Sequence, residues 1–355
     1  MMTDDLAELV PFVGAVRRNC HITDARHARE MTMCNYLLEM REFYRWEHGL
    51  PFGAEMRRTN VGAWLAAREA LWEELADEDF GELPFGAARY DAFAIEAVNL
   101  ELVPYGLYYG AGIGRFGKPH FFLARLHAES MRDGVRVLVC DREYARDMST
   151  VPAALQRNTV VVRREALRRW LWERAEAWEM KRHAGSLQDA LDAYGFVSDA
   201  AGAIERMMAD ATETLVLHEL GEHAAGVQLG SAWEEMLAAC RSKRAELLAR
   251  AVRDNLADCL STLPALLSCD ARDALQLWFS NFSGMRLALF PRLLAAYAIW
   301  HRSGDAGALD VAIEQGRGHW REVAGRMLDV FAQRGSEATA EFERMSSQSE
   351  EIALA

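Results

Sequence analysis

The segment that decides the fold is AAGAIERMMADATETLVLHELGEHAAGVQL, residues 200–229. It is one of several strong helical segments in the second half of the chain, which are separated by Gly, Pro and Ser-Gly punctuation. It also contains His218-Glu219-Leu220-Gly221-Glu222-His223, the richest chemical pattern in the sequence. The sequence therefore predicts a long helix that carries a cluster of metal-ligand residue types.

Helical geometry places these four polar residues on one face. At about 100° per residue, His218, Glu222, Glu219 and His223 fall at about 0°, 40°, 100° and 140°. Imidazole and carboxylate groups suit Zn²⁺, Fe²⁺ or Mn²⁺, and residues four apart can chelate one ion. We expect His218 and Glu222 to be metal ligands and Glu219 to be a catalytic general base or an outer carboxylate. The spacing differs from the zinc-protease pattern H-E-x-x-H, because position 222 is Glu.

A plain structural interpretation competes with the metal site. The opposite arc of the helix is apolar and consists of Val216, Leu217, Leu220, Ala224 and Val227. A helix with one apolar and one polar face is simply amphipathic. Leu215 and Leu229 lie on the polar side, which indicates that this side is also covered.

Two other segments offer further ligands. His21 and His27 lie in a stretch dense in ligand-type residues, together with Cys20, Asp24, Glu30 and Cys34. Asp254 and Asp258 are four residues apart on another predicted helix. We expect His21, His27, Asp254 or Asp258 to complete the coordination. Some of these residues also have a structural alternative. Asp24 could support a helix N-terminus, His27 could lie on a polar helix face, and Cys34 could pack as a small apolar side chain. Asp254 could form a surface ion pair with Arg250.

The fold class is predicted to be mainly α (α+β), with bundle-like helical lobes. Helices are expected at 5–18, 23–46, 61–75, 165–181, 200–229, 241–267, 271–279, 287–301 and 311–333, with Thr23 as the N-cap of the second. A small antiparallel sheet is expected near residues 105–163, with strands at 107–110, 121–130, 135–140 and 159–162. Arg132-Asp133-Gly134 is a turn that favours a hairpin. The expected organisation is an N-terminal helical segment (1–85), a segment with the sheet (86–163), a C-terminal helical domain (164–335) and a frayed tail (336–355).

The composition of the chain argues against several classes of binding partner and against a membrane location. The 355 residues carry a formal charge of −13, which argues against nucleic acid and against anionic membrane surfaces. The longest apolar stretches are far below the ~20 residues that span a bilayer. The six cysteines show no C-x-x-C pair and the N-terminus is acidic, so we expect a cytoplasmic protein with reduced thiols.

The stretch Gly112-Ile-Gly-Arg-Phe-Gly117-Lys118-Pro119 nearly matches a phosphate-binding loop. That loop needs a hydroxyl residue after the lysine and a helix behind it. Here Pro119 replaces the hydroxyl residue and a strand-like pattern follows, so a glycine-rich turn is expected. Arg115 and Lys118 remain candidates for binding a small anion.

Several blocks together resemble a family of conserved hypothetical bacterial proteins of unknown function. They are Asn19–His27, Arg41–Glu47, Gly114–Phe122, Arg142–Asp147, His218–Glu222 and Asn281–Arg286. The resemblance covers nearly the whole chain and implies a bacterial, stand-alone protein. It implies no mechanism and no site residue.

Two function classes therefore stay open. The first is a metal-binding helical protein with a divalent transition metal, Zn or Fe, as cofactor. The second is a non-enzymatic helical scaffold that binds a protein partner or forms a homo-oligomer.

Overall fold

The computed structural model describes residues 9–114, 117–148, 151–182 and 185–355. The chain forms two compact units. Unit 1 comprises the described residues up to 129 with 138–152 and 163–166, and unit 2 comprises 130–137, 153–162 and 167–355. Each unit consists of three sequence segments, and the segments of the two units alternate along the chain. The division into segments at 85/86, 163/164 and 335/336 stays a prediction.

Among the described residues that precede the main sheet, the chain forms four helices and a small hairpin. The helices are α1 (Val10–His27), α2 (Met33–Glu47), α3 (Arg58–Leu75) and α4 (Ile95–Leu102). Strands β1 (Leu83–Phe85) and β2 (Ala88–Tyr90) pair antiparallel. Short 3₁₀ turns cover Ala28–Glu30 and Val103–Tyr105.

A curled five-stranded sheet follows in the range where the sequence predicted a small sheet, with Ala153–Gln156 as a fifth strand that was not predicted. Its strands are β3 (Leu107–Ile113), β4 (Pro119–Arg132), β5 (Val135–Arg146), β6 (Ala153–Gln156) and β7 (Thr159–Arg163), in the order β3-β4-β5-β7-β6. Leu107 pairs with Arg125 and Ala153 with Val162, both in antiparallel registers. Between β4 and β5, Asp133 and Gly134 have φ of 49° and 79°. Positive φ at both residues is what a tight hairpin requires, which confirms the turn predicted there.

The rest of the described chain is helical. The helices are α5 (Arg164–Lys181), α6 (Ser186–Ala193), α7 (Ala200–Leu229), α8 (Ser231–Ala239), α9 (Lys243–Ala257), α10 (Leu263–Ser268), α11 (Arg272–Asn281), α12 (Gly284–Leu289), α13 (Pro291–Ser303), α14 (Gly307–Arg334) and α15 (Ala338–Ser347). A π-helical turn, Asp258–Thr262, joins α9 to α10, and 3₁₀ turns cover Gly335–Glu337 and Ser349–Glu351. The mainly α fold class is confirmed.

Helix α7 has the limits that the sequence predicted. The Asp199 side chain accepts a hydrogen bond from the Gly202 N–H and so caps its first turn, and Gly230, at φ 73°, ends it. On its apolar arc, Val216 and Leu220 are buried in a cluster with strand residues Val135, Val137 and Val160. This part of the arc is therefore a packing face, whereas Val227 near the end of the helix is 72% exposed.

Other element predictions need correction. Thr23 does not cap a helix but lies buried inside α1, and the helix that follows is capped by Thr32, which accepts from Asn35 N–H. The helix predicted over 241–267 is interrupted by the π-helical turn. Where fraying was expected, α15 forms and buries Phe342. Thr23 and Phe342 are both buried, so tertiary packing outweighs the local pattern at these two positions.

Helices α7 and α9 approach closely at Gly221. A Cβ atom built on Gly221 would lie 2.4 Å from the backbone oxygen of Ala257. Backbone cannot rotate away as a side chain can, so glycine is the residue that permits this approach. The approach sets the distance between the polar residues of the two helices.

We predict that Gly221→Ala destabilises the protein by about 1–3 kcal/mol, the usual cost of overpacking. Gly226→Ala on the same helix is the matched control, because nothing lies within 4 Å of a Cβ there. Alanine is the better helix former, so that control should be neutral or stabilising by up to about 1 kcal/mol. Urea unfolding measures both free energies. Equal effects of the two substitutions would contradict the close approach.

Candidate metal centre

Four neighbouring elements of unit 2 bring seven ionisable side chains together. We call them the polar cluster: His218, Glu219, Glu222, Arg253, Asp254, Asp258 and Arg286. The first three lie on α7, Arg253 and Asp254 on α9, Asp258 in the π-helical turn and Arg286 on α12. Their positions follow from helical spacing on α7 and α9 and from the approach at Gly221.

The imidazole of His218 is held between two carboxylates. Its Nδ1 lies 2.8 Å from Asp258 Oδ1, within hydrogen-bond distance. Its Nε2 lies 3.6 Å from Glu222 Oε1. Since Asp258 takes Nδ1, Nε2 is the nitrogen that faces Glu222 and that a metal ion would use.

Three ligand atoms converge in this cluster. One atom each from His218, Glu222 and Asp254 lies within 4.8 Å of the others, and the described residues contain no second group of this kind. Two ligands at tetrahedral angles around one zinc ion are about 3.4 Å apart. The separation of 3.6 Å between His218 Nε2 and Glu222 Oε1 is close to that value.

The polar face of α7 is covered rather than solvated. Glu219 is only 7% exposed and Asp258 only 1%. Asp254 is buried too, and none of the described residues donates a hydrogen bond to its Oδ1. A solvated polar face would leave Glu219 in water, so the simple amphipathic interpretation does not account for the burial of this residue on α7.

Burial and neighbouring charges shift the pKa values of the cluster residues in different directions. Burial alone would lower the pKa of His218, but the charge and hydrogen bond of Asp258 raise it well above its ordinary value. Burial alone would raise the pKa of Glu222, but the hydrogen bond of His218 and the charge of Arg253 lower it. Burial, followed by the charge of Glu222, raises the pKa values of both Glu219 and Asp254, that of Glu219 to about 7. Glu219 and Asp254 are thus the two carboxyl groups most ready to hold a proton.

Two arginines were missed by the sequence analysis. Arg253 Nη2 donates to Glu222 Oε1 at 2.7 Å, and Arg286 donates to Asp258. The ion pair proposed between Arg250 and Asp254 is wrong, because Arg250 donates to Glu246 at 2.8 Å instead. Arg253 stands beside Asp254 in the sequence and could have been considered; Arg286 is too distant in sequence for any spacing rule to find.

His21 and His27 lie in unit 1 with other partners. Arg68 Nη1 is 2.6 Å from His21 Nε2, and burial followed by the charge of Arg68 lowers the pKa of His21 to about 4. His27 ends α1 and its Nδ1 is 3.0 Å from Glu30 Oε1. His27, Glu30 and Cys34 do not share one helix, contrary to expectation. Neither histidine belongs to the group of close ligand atoms, and their role as ligands stays a prediction.

We predict a pH-dependent gain in stability from Glu219→Gln in metal-free protein. A folded pKa of about 7 against an ordinary value of 4.5 means that the folded state binds this proton more tightly than the unfolded state does. The wild type therefore loses stability as pH rises from about 4.5 to about 7, by an amount of the order of 3 kcal/mol. A glutamine side chain does not titrate, so the stability of the variant relative to the wild type should rise over this window and then level off.

The measurement is urea unfolding of both proteins from pH 4.5 to 8 with a chelator present. A difference in unfolding free energy that does not change with pH would contradict a buried, proton-holding Glu219.

Comparison with known proteins gives a family but no activity. Residues 11–163 match the model of the N-terminal domain, and residues 168–349 that of the C-terminal domain, of a family of unknown function, DUF6866. No curated protein and no solved structure matches the chain. No helix among the described residues has the length and apolar character needed to cross a membrane. Because the two domain models together cover most of the sequence, the chain belongs to the DUF6866 family.

Proposed function

We propose that this protein binds one divalent transition-metal ion, Zn²⁺, Fe²⁺ or Mn²⁺, in the polar cluster of unit 2. The ligands are His218 through Nε2, Glu222 and Asp254. The observation that carries the proposal is the convergence of these three ligand atoms in a buried place where two carboxylates face each other. Imidazole with carboxylates is a donor set that suits all three ions.

Charge balance supports a dication. The ionisable side chains of the polar cluster are four carboxyl groups, two guanidinium groups and one imidazole. With every carboxyl group ionised and the imidazole neutral, the cluster carries a charge of about −2, which buried groups do not tolerate without compensation. One divalent ion neutralises it. Without the ion, neutrality needs about two protons, and His218 and one of Glu219 and Asp254 are the groups whose raised pKa values favour them.

The surroundings of the three ligands also fit an ion. Asp254 Oδ1 is buried and receives no hydrogen bond from the described residues. Arg253 Nη2 lies 3.7 Å away, too far for a hydrogen bond, so the lone pairs of this oxygen can coordinate a cation. Asp258 accepts from the Nδ1 atom of His218 and fixes the ring with Nε2 toward Glu222. A carboxylate behind a histidine ligand orients the ring and strengthens it as a ligand.

Glu219 gives the cluster an acid–base group beside the proposed ion. A bound divalent ion would supply Lewis-acid character there. Glu219 is not one of the three convergent ligands, and with a pKa of about 7 it can accept or release a proton near neutral pH. These residues could serve hydrolytic or acid–base chemistry, and no substrate follows from them.

We expect protein purified without chelator to contain close to one transition-metal ion per chain by elemental analysis. Re-addition of Zn²⁺ to chelated protein should release about two protons per ion, because the ion replaces them in the cluster. Calorimetric titration in two buffers of different ionisation enthalpy measures that number. His218→Ala should abolish stoichiometric binding, because it removes the nitrogen ligand.

The matched control is His223→Ala, which removes a partly buried histidine five residues along the same helix. It should bind like the wild type. Absence of bound metal in all preparations, together with unchanged Zn²⁺ binding in His218→Ala, would overturn the proposal. A metal-free protein that co-purifies with a protein partner through gel filtration would instead favour the scaffold interpretation.

We expect Asp258→Asn to weaken Zn²⁺ binding by about 10- to 100-fold while leaving the stoichiometry at one ion. The asparagine keeps the shape of the side chain but not the charge that holds His218 and Arg286. Competition with a chelator of known affinity measures the change. An affinity within a factor of two of the wild type would show that Asp258 does not act through His218.

A further inference from the structure

Unit 1 contains a second buried polar group that the metal proposal does not use. Asp24 and Asp147 are both fully buried. Both oxygens of Asp24 accept from the Met148 N–H at 3.0 Å. Asp147 Oδ2 accepts from the Phe121 N–H, and both of its oxygens lie 3.2 Å from His120 Nδ1. Two carboxylates are thus fixed by backbone groups beside the start of β4.

Two basic side chains lie between these carboxylates and the solvent. Lys118 Nζ is 4.0 Å from Asp24 Oδ1, and the Lys118 and His120 side chains are 14% and 20% exposed. They are two residues apart, where the turn enters β4. The basic groups of this arrangement are therefore the part that a dissolved ligand can reach.

The orientation of His120 leaves one ring nitrogen for a ligand. Nδ1 faces Asp147, and none of the described residues forms a hydrogen bond with Nε2. A Cβ atom at Gly114 would lie 2.7 Å from Nε2, so only glycine at this position avoids a clash with that edge of the ring. In the imidazolium form, Nε2 is a hydrogen-bond donor directed away from Asp147.

The net charge of the buried groups is compatible with a bound anion. Burial, followed by the charge of Asp147, raises the pKa of Asp24 well above its ordinary value, so Asp24 tends to hold a proton. The carboxylates of Glu143 and Asp147 are then balanced by Arg163, which donates to Glu143 at 2.6 Å, and by Lys118. The guanidinium of Arg146, 3.7 Å from Glu143 Oε2, adds one positive charge that these two carboxylates do not balance.

We infer that Lys118 and His120 form a binding site for a small oxyanion, either a carboxylate or a phosphate group. Lys118 supplies a point charge and His120 a directed donor, while Asp147 holds the ring. The inference is independent of the metal site, since all of these residues belong to unit 1. It places the anion beside Lys118 and His120 without the helix of a nucleotide-binding loop, because β4 begins at Pro119. Arg115, the other basic residue considered there, lies outside the described residues.

The test is a titration of the full chain, in chelator and at constant ionic strength, with inorganic phosphate in one series and acetate in another. Nuclear magnetic resonance of labelled histidine rings reports the result, with the His120 signal assigned from its loss in His120→Gln. We expect saturable shifts of the His120 signal with at least one anion, and the two series distinguish phosphate from carboxylate. Lys118→Met should weaken binding about tenfold, equivalent to about 1.4 kcal/mol, and Lys118→Arg should retain it.

The matched control is His127, which lies on the same strand with its Nδ1 3.7 Å from Asp141 Oδ2. Its ring signals should stay unchanged, and His127→Gln should bind like the wild type. If neither anion shifts the His120 signal saturably in the wild type, the inference is wrong. It is equally wrong if Lys118→Met binds as tightly as the wild type. Should Lys118→Met fail to fold, the wild-type titration and Lys118→Arg decide the question.

Discussion

The close approach of two helix backbones at Gly221 is the constraint on which the polar cluster depends. Any side chain at position 221 would meet the backbone of Ala257, so α7 and α9 can come together there only with glycine. The approach puts His218 and Glu222 against Asp254 and Asp258. The opposite arc of α7 is fixed at the same time by Val216 and Leu220, which pack on strand valines. Because α7 packs against neighbouring elements on both of these faces, it cannot rotate to expose its charged residues to water.

The consequence is a buried group of charges that must be neutralised in place. Removing carboxylates from water costs several kcal/mol each unless a partner charge or proton compensates for it. Arg253 and Arg286 compensate for two of the four carboxylates in the cluster. The remaining two need protons or a dication, and Asp254 offers an oxygen that receives no hydrogen bond from the described residues. The same physical requirement thus underlies both the perturbed pKa values and the proposed metal binding.

Much of this arrangement could be predicted from sequence, and the failures have definite causes. The limits of α7, the hairpin turn at Asp133-Gly134 and the shared face of His218 and Glu222 follow from local periodicity and turn chemistry. Asp254 was one of several candidate ligands, and only the approach of α7 and α9 brings it to that face. Periodicity shows which residues share a face but not what covers that face. It therefore could not find Arg286 as the partner of Asp258, nor show that Arg68 contacts His21. Thr23 was misassigned as a cap because a buried threonine inside a helix and a capping threonine look alike in sequence. The π-helical turn at Asp258 has no sequence signal that separates it from a continuous helix.

X-ray absorption spectroscopy at the zinc edge, on chelated protein reloaded with one Zn²⁺ per chain, tests the central claim most directly. The account predicts a shell of nitrogen and oxygen ligands at about 2.0–2.2 Å, with the outer-shell scattering of one imidazole that disappears in His218→Ala. A sulfur shell at about 2.3 Å, or scattering from several imidazoles, would contradict a site made of one histidine and two carboxylates.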